Sequence, residues 1–290
     1  MKFLSLTLAG LLLATPAFAQ EAALPPEPQT PTLPSDIDVD GDSLTIGAGA
    51  VYLPDYEGSD DYRFTPAPGA IGSYKGFSFQ LAGNRLSVDV IPDRSANGID
   101  FQAGPIGVVN LNRTSIDNID DARIRALGEI DTAIELGGYV GIAKTGVITS
   151  PYDRLSISAS YRVDVTDAHG SGIFQPSVSY LTPLSRKAAV GLFATAERVE
   201  GDFARTYYSV TPAQSLASGL PVFAARGGWK NYSVGALATV SLTGDLLHGL
   251  KIVGGGTYSR LLNGFSYSPV VRIAGEKSQW LGVVGLAYTF

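Results

Sequence analysis

The sequence predicts an all-β fold, a transmembrane antiparallel β-barrel of about twelve strands, within a range of roughly ten to fourteen. Three observations predict it. A secretory leader is followed by no other long apolar run, period-two alternation runs from Leu44 to the last residue, and the final strand carries a lipid-type face.

Residues 1–19 supply the leader. Lys2 precedes an apolar stretch from Phe3 to Ala14 and the small-residue ending Ala17-Phe18-Ala19, the pattern of a signal peptide. That stretch is shorter than the roughly 20 residues a membrane helix needs. The mature chain is expected to begin near Gln20 without a helical anchor. Cysteine is absent, which excludes disulfides and the thiol that a lipoprotein anchor requires. Residues 20–43 carry Pro25, Pro26, Pro28, Pro31 and Pro34, then Asp36, Asp38, Asp40 and Asp42, and read as a solvated periplasmic leader. Without Lys2 the chain holds 20 basic and 27 acidic residues, a net charge of −7. No basic cluster could track a phosphate backbone, so nucleic acid is not an expected partner.

From Leu44 onward a single domain of 247 residues, 44–290, alternates apolar and polar positions. Strands are expected near 44–53, 64–74, 77–90, 99–111, 131–144, 152–166, 173–182, 187–199, 221–229, 231–243, 249–262 and 279–290. The clearest is 154–165: Leu155, Ile157, Ala159, Tyr161, Val163 and Val165 share one face, and Arg154, Ser156, Ser158, Ser160, Arg162 and Asp164 the other. Tyr232, Val234, Ala236, Ala238, Val240 and Leu242 form a similar row, Thr195 and Glu197 oppose Val190 and Leu192, and Asp131 and Glu135 oppose Ile134, Leu136, Val140 and Ile142. Glu135, Arg154, Arg162, Asp164 and Glu197 are thus the expected lumen charges. In the last strand Trp280, Val284, Leu286, Tyr288 and Phe290 share a face. Aromatics at both ends and aliphatics between suit a membrane slab, and Tyr288 with terminal Phe290 reads as the signal presented to barrel-insertion machinery.

Two features resist this layout. Strict alternation would turn the long segment 200–220 toward the periplasm and a short turn at Trp229-Lys230-Asn231 outward, the reverse of usual loop lengths. Pro105 falls inside the fourth strand, where a ladder needs an N–H.

The stretch Tyr52–Arg63, YLPDYEGSDDYR, is expected to be the first outer loop. Asp55, Glu57, Asp60 and Asp61, with Tyr56 and Arg63, would form a charged rim facing lipopolysaccharide or a divalent cation. GAGAVYLPDYEGSDDYRFTPAP resembles the most characteristic segment of the MltA-interacting protein (MipA)/OmpV family of outer-membrane proteins. AGPIGVVNLNR, LGEIDTAIELGGYVG, RTYYSVTPAQSLASGLPVF, YSRLLNGFSYSP and GLAYTF extend the resemblance, while residues 144–198 match only as generic strands. The resemblance implies a cell outer-membrane barrel, non-enzymatic and without a cofactor, contacting lipid and lipopolysaccharide. Through some members it is linked to scaffolding of murein hydrolase and synthase complexes. A narrow solute channel is the alternative.

Other motifs are weighed against chance. Asp36-x-Asp38-x-Asp40-Gly41 begins like a calcium loop, but Gly47 stands where the bidentate Glu belongs. Gly41-Asp42-Ser43-Leu44 and Asp245-x-x-His248 spell two blocks of a serine esterase, yet the third block, Gly-x-Asn-Asp, is missing, and no catalytic role is assigned. His169 reads as part of a solvated turn, and Gly254-Gly255-Gly256 as close strand packing.

Overall fold

The structure, a computed structural model, describes residues 42–92 and 98–290. The expected signal peptide and leader through Gly41, with Asp36, Asp38 and Asp40, lie outside them. The strands are β1 (Ser43–Pro54), β2 (Tyr62–Tyr74), β3 (Phe77–Ala82), β4 (Arg85–Asp89), β5 (Ile99–Asn110), β6 (Ala133–Thr145), β7 (Arg154–Asp164), β8 (Gly172–Ser185), β9 (Ala188–Val199), β10 (Gly228–Ser241), β11 (Gly249–Leu261) and β12 (Ser278–Thr289). Each pairs antiparallel with its chain neighbour, and β12 closes on β1 from Thr45↔Thr289 to Tyr52↔Gly282. Closure pairs most of the wall on both sides, as hydrocarbon demands, the main exceptions being residues 62–68 of β2 and 99–105 of β5.

Alternation decides which row meets lipid. Ile157 and Tyr161 on β7, Val234 and Val240 on β10, and Trp280, Val284, Leu286 and Tyr288 on β12 are exposed, while Ser156, Ser160 and Arg162 point inward. Aromatics gather at both ends of this belt. Tyr52 stacks on Tyr62 at 5.2 Å and Tyr258 lies 5.0 Å from Trp280 near one end, and Tyr288 lies 4.9 Å from Phe290 near the other.

The count of twelve strands stands, but two expected boundaries do not. Residues 77–90 form a hairpin, β3 and β4, turning at Gly83-Asn84 where Gly83 has φ +58°. Residues 221–229 and 231–243 are not two strands: 228–241 is the single strand β10, and a bulge between Trp229 and Asn231 replaces the expected turn. These corrections cancel in the count and reverse the sidedness of the long segment. Residues 55–61, 111–132, 165–171, 200–227 and 262–277 all emerge at one end. The other end bears 75–76, 146–153, 186–187, 242–248 and the β4–β5 connection, none longer than nine residues, with both barrel termini, whereas 111–132, 200–227 and 262–277 at the first end run to 16 or more. Long loops mark the extracellular side, so 200–227 faces outward.

Pro105 is accommodated by a break. The β4–β5 ladder ends at Ser87↔Ile106, while β6 still pairs opposite at Pro105↔Gly138. The short hairpin also leaves β2 paired with β3 only over 69–74, and Pro66 and Pro68 occupy the part that pairs with β1 alone. Prolines there offer no free N–H to a foreign strand. Gly255 allows β10 and β11 to approach, since a Cβ would stand 2.2 Å from the Ala236 carbonyl oxygen.

The periplasmic turn 146–153 is held by one carboxylate. Asp153 accepts N–H bonds from Val147 (2.6 Å), Ile148 (2.8 Å), Thr149 and Ser150 (3.2 Å), and the Tyr180 hydroxyl at 2.8 Å. These donors outweigh its burial and hold its carboxyl far below the usual carboxylate range. With the folded pKa depressed, the stabilisation is full above the unfolded value of ~3.9 and is lost as pH falls below it. Asp153→Asn is expected to lower stability at pH 7 by ~1.5–3 kcal/mol, and to flatten the acid limb of the stability profile below about pH 4. Urea unfolding at pH 7 and pH 3 measures both.

Candidate functional site: a buried ionic core beneath a folded cap

The outer loops fold on one another. Residues 111–132 carry a 3₁₀ turn (Ile116–Asn118) and helix α1 (Ala122–Arg125); 200–227 carries α2 (Gly201–Tyr208) and α3 (Pro212–Ser218); 262–277 carries α4 (Asn263–Tyr267) and α5 (Pro269–Arg272). Caps explain where they start. Asp121 accepts the Arg123 and Ile124 N–H groups, and Thr211 with Gln214 forms a capping box ahead of Pro212. Phe203, Ala204, Tyr207 and Tyr208 of α2 pack with Phe265 and Val271, and Tyr56 packs with Ile119, Ile124 and Val270. The cap therefore has an apolar core of its own.

Beneath it, charges from four strands and one loop meet inside the barrel. Arg162 on β7 reaches Glu135 on β6 at 2.5 Å and Glu197 on β9 at 3.0 Å. Lys230 on β10 bridges Glu197 and Glu57 of the first loop, at 2.8 Å each. Arg162, Glu135 and Lys230 are 0 % exposed, which makes water screening negligible. Gln175 accepts from both Arg162 (3.2 Å) and Arg85 (2.5 Å). Three carboxylates thus face three cations, and the desolvation of each is offset by its neighbours. Lys230 also lies 4.8 Å from the centre of the Phe203 ring, tying the core to α2.

His169 belongs to this core and not to a solvated turn. Its side chain is fully buried, with Nε2 3.2 Å from Glu135 and Phe203 edge-on at 5.0 Å. The Ser171 N–H donates to Nδ1 at 3.3 Å, so the tautomer assigned by the network carries its hydrogen on Nε2 and donates to Glu135. Asn110 donates to the same carboxylate at 3.1 Å. The short Gly-rich turn that buries this ring gives no periodic signal, which hides it from sequence reasoning.

The opening loop is not an open rim. Asp55, Tyr56 and Glu57 are buried, Asp61 and Arg63 are half-buried, and Asp60 is exposed. Tyr56 donates its hydroxyl to the Ala274 carbonyl and is wholly enclosed, and burial holds that phenol well above its ordinary range. Glu57 turns inward, its N–H donating to Asn112 at 3.1 Å, and burial raises its carboxyl against the pull of Lys230. Apolar contacts of Tyr56 beneath α5 drag its neighbours in with it, so four carboxylates that look alike in sequence take three environments. Asp55 and Asp61 bring oxygens within 4.8 Å of Asp120, a group of three carboxylates that could hold a cation. Burial raises Asp55, opposed by the Asp120 N–H that it accepts at 3.2 Å.

The remaining lumen charges lie elsewhere. Arg154 pairs with Asp100 near the periplasmic end. Asp164 caps the 165–171 turn, accepting N–H groups of His169 (2.7 Å) and Gly170 (3.0 Å). Ser43 and His248 are not brought together. The Ser43 hydroxyl bonds Ser73 at 3.0 Å, and His248 is exposed with Nδ1 3.8 Å from Asp245. Lys230, His169, Asn110, Asn112 and Arg113 were not singled out from the sequence as site residues. Arg113 donates to the Gly128 and Tyr207 carbonyls, and burial lowers its guanidinium to about 10.

The solved structures that this barrel resembles include the CymD monoaromatic hydrocarbon channel (10 % identity, 85 % of this chain and 88 % of that one, TM-score 0.37). They also include the Pseudomonas putida toluene transporter TodX (9 %, 86 % and 89 %, TM-score 0.37) and the translocator domain of autotransporter NalP from Neisseria meningitidis (12 %, 88 % and 91 %, TM-score 0.32). A comparison with curated proteins finds no match. The family model of MltA-interacting protein MipA matches residues 46–290, from the first strand through the whole cap to the last strand, and the chain belongs to this family of outer-membrane barrels.

Proposed function

We propose that this outer-membrane barrel is a non-conducting interaction protein, an envelope scaffold for peptidoglycan-remodelling enzymes, and not a solute channel. The observation that carries the reading is the continuous chain Glu57, Lys230, Glu197, Arg162, Glu135 across the lumen, with the cap packed over it. A water-filled pore would leave those groups hydrated, whereas here they satisfy one another. A family described as MltA-interacting supplies the partner class, a murein hydrolase. Such a partner works on the periplasmic side, where the chain offers the turns 146–153 and 242–248.

The test is direct. The mature chain in lipid nanodiscs, titrated with purified MltA-type hydrolase, is expected to bind saturably, and binding should survive removal of residues 212–218 from the outer cap. Absence of binding, or binding that needs α3, contradicts the reading. The channel alternative requires the ionic core to part, and the esterase alternative requires Ser43 to leave Ser73 for His248.

A further inference from the structure

Barrel interiors large enough to hold solvent are ordinarily polar. Here the periplasmic half is polar only on the side of β4–β7, where Arg154 pairs with Asp100. Its other side is a cavity of about 330 Å³, lined by Val51, Leu81, Leu181, Phe193 and Leu281 among small residues. That is about twice the ~150 Å³ apolar cavity that holds a benzene molecule. It runs from Lys251 to Thr257 along β11, six residues that rise roughly 15 Å at strand geometry and barrel tilt. That length matches one extended alkyl chain.

Lys251, at the periplasmic end of this cavity, is the one charged side chain in its lining. It is 5 % exposed, and its Nζ donates to Thr289 Oγ1, which lies 2.7 Å from Thr45 Oγ1. Among the described residues no carboxylate lies within ion-pair distance of it, and Asp245 of the 242–248 turn, which accepts the Leu247 and His248 N–H groups, is the acidic group that acts on it. A buried ammonium served by one hydroxyl, with its carboxylate neighbour Asp245 beyond ion-pair distance, is only partly compensated, a costly state. An apolar chamber with a single cation at its mouth has the polarity of an amphiphile turned inside out.

We propose that this half-lumen binds a single-chain carboxylic acid, with its alkyl tail lying between Phe193 and Leu281 and its carboxylate on Lys251 near the periplasmic mouth. One monoanionic head answers one ammonium. The site lies below the ionic core, so occupancy requires no passage through the cap, and the inference stands apart from any protein partner.

The chain has no cysteine, so Ala189→Cys places a single thiol in the cavity lining. In nanodiscs, laurate is expected to slow labelling of that thiol by an apolar maleimide at least tenfold. Adding Lys251→Gln should raise the laurate concentration needed for protection about tenfold and leave protection by dodecanol unchanged. Native mass spectrometry provides an arm that needs no cysteine: the unsubstituted chain should retain one laurate and the Lys251→Gln chain should lose it. Labelling unaffected by laurate, or protection and adducts identical with and without Lys251, overturns the proposal.

Discussion

Replacing Arg162 by methionine is expected to destabilise the barrel by ~3–5 kcal/mol, although methionine fills much of the same volume. Arg162 is fully buried and bonds Glu135, Glu197 and Gln175 at once. Its loss leaves two carboxylates inside the lumen with too few partners. The energy is the cost of unpaired charge, so Glu135→Gln added to Arg162→Met should recover a large part of it, Glu197 retaining Lys230. Equilibrium urea unfolding in lipid vesicles measures the cycle. A loss below about 1 kcal/mol for Arg162→Met, or additive losses for the pair, would mean that water already reaches the network.

The lipid face makes an opposite demand. Val140, 64 % exposed near the middle of β6 and opposite Ala159, stands where hydrocarbon surrounds the barrel. Val140→Arg is expected to cost ~2–4 kcal/mol, the penalty of a cation at the bilayer midplane. The same substitution on a soluble sheet would be nearly silent. Refolding into vesicles across a urea gradient separates these cases, and a change under about 0.5 kcal/mol would remove Val140 from the lipid row.

Alternation made the barrel legible because each strand must satisfy lipid on one side and the lumen on the other. It was least reliable where pairing departs from regularity. In the run 77–90 the apolar row passes from Phe77, Phe79 and Leu81 to Leu86, Val88 and Val90, so the two-residue hairpin turn at Gly83-Asn84 shows only as a change of phase within one alternating stretch. At β10 the reverse occurs, since the bulge between Trp229 and Asn231 turns both Lys230 and Asn231 inward, 0 % and 2 % exposed, and so mimics a turn. The polar rows on β6, β7 and β9 were readable, but their partners were not. Glu57 meets Lys230 across 173 residues, a contact no local pattern records. Segments quoted for the family resemblance meet in space: Ser268 bonds the Tyr208 carbonyl at 2.6 Å, Gln214 that of Leu127 at 3.0 Å, and Asn112 the Glu57 N–H. What those segments share is the building of the cap, a role that their distance along the chain conceals.

Current through single barrels in a planar lipid bilayer tests the sealed lumen most directly. With Glu57, Lys230, Glu197, Arg162 and Glu135 paired across the barrel and α2 packed over them, the purified chain is expected to insert without conductance steps. Arg162→Met, which unpairs Glu135 and Glu197, should admit water and produce brief, irregular steps. Stable, uniform, ohmic steps from the unsubstituted chain would contradict a closed barrel and make it a channel.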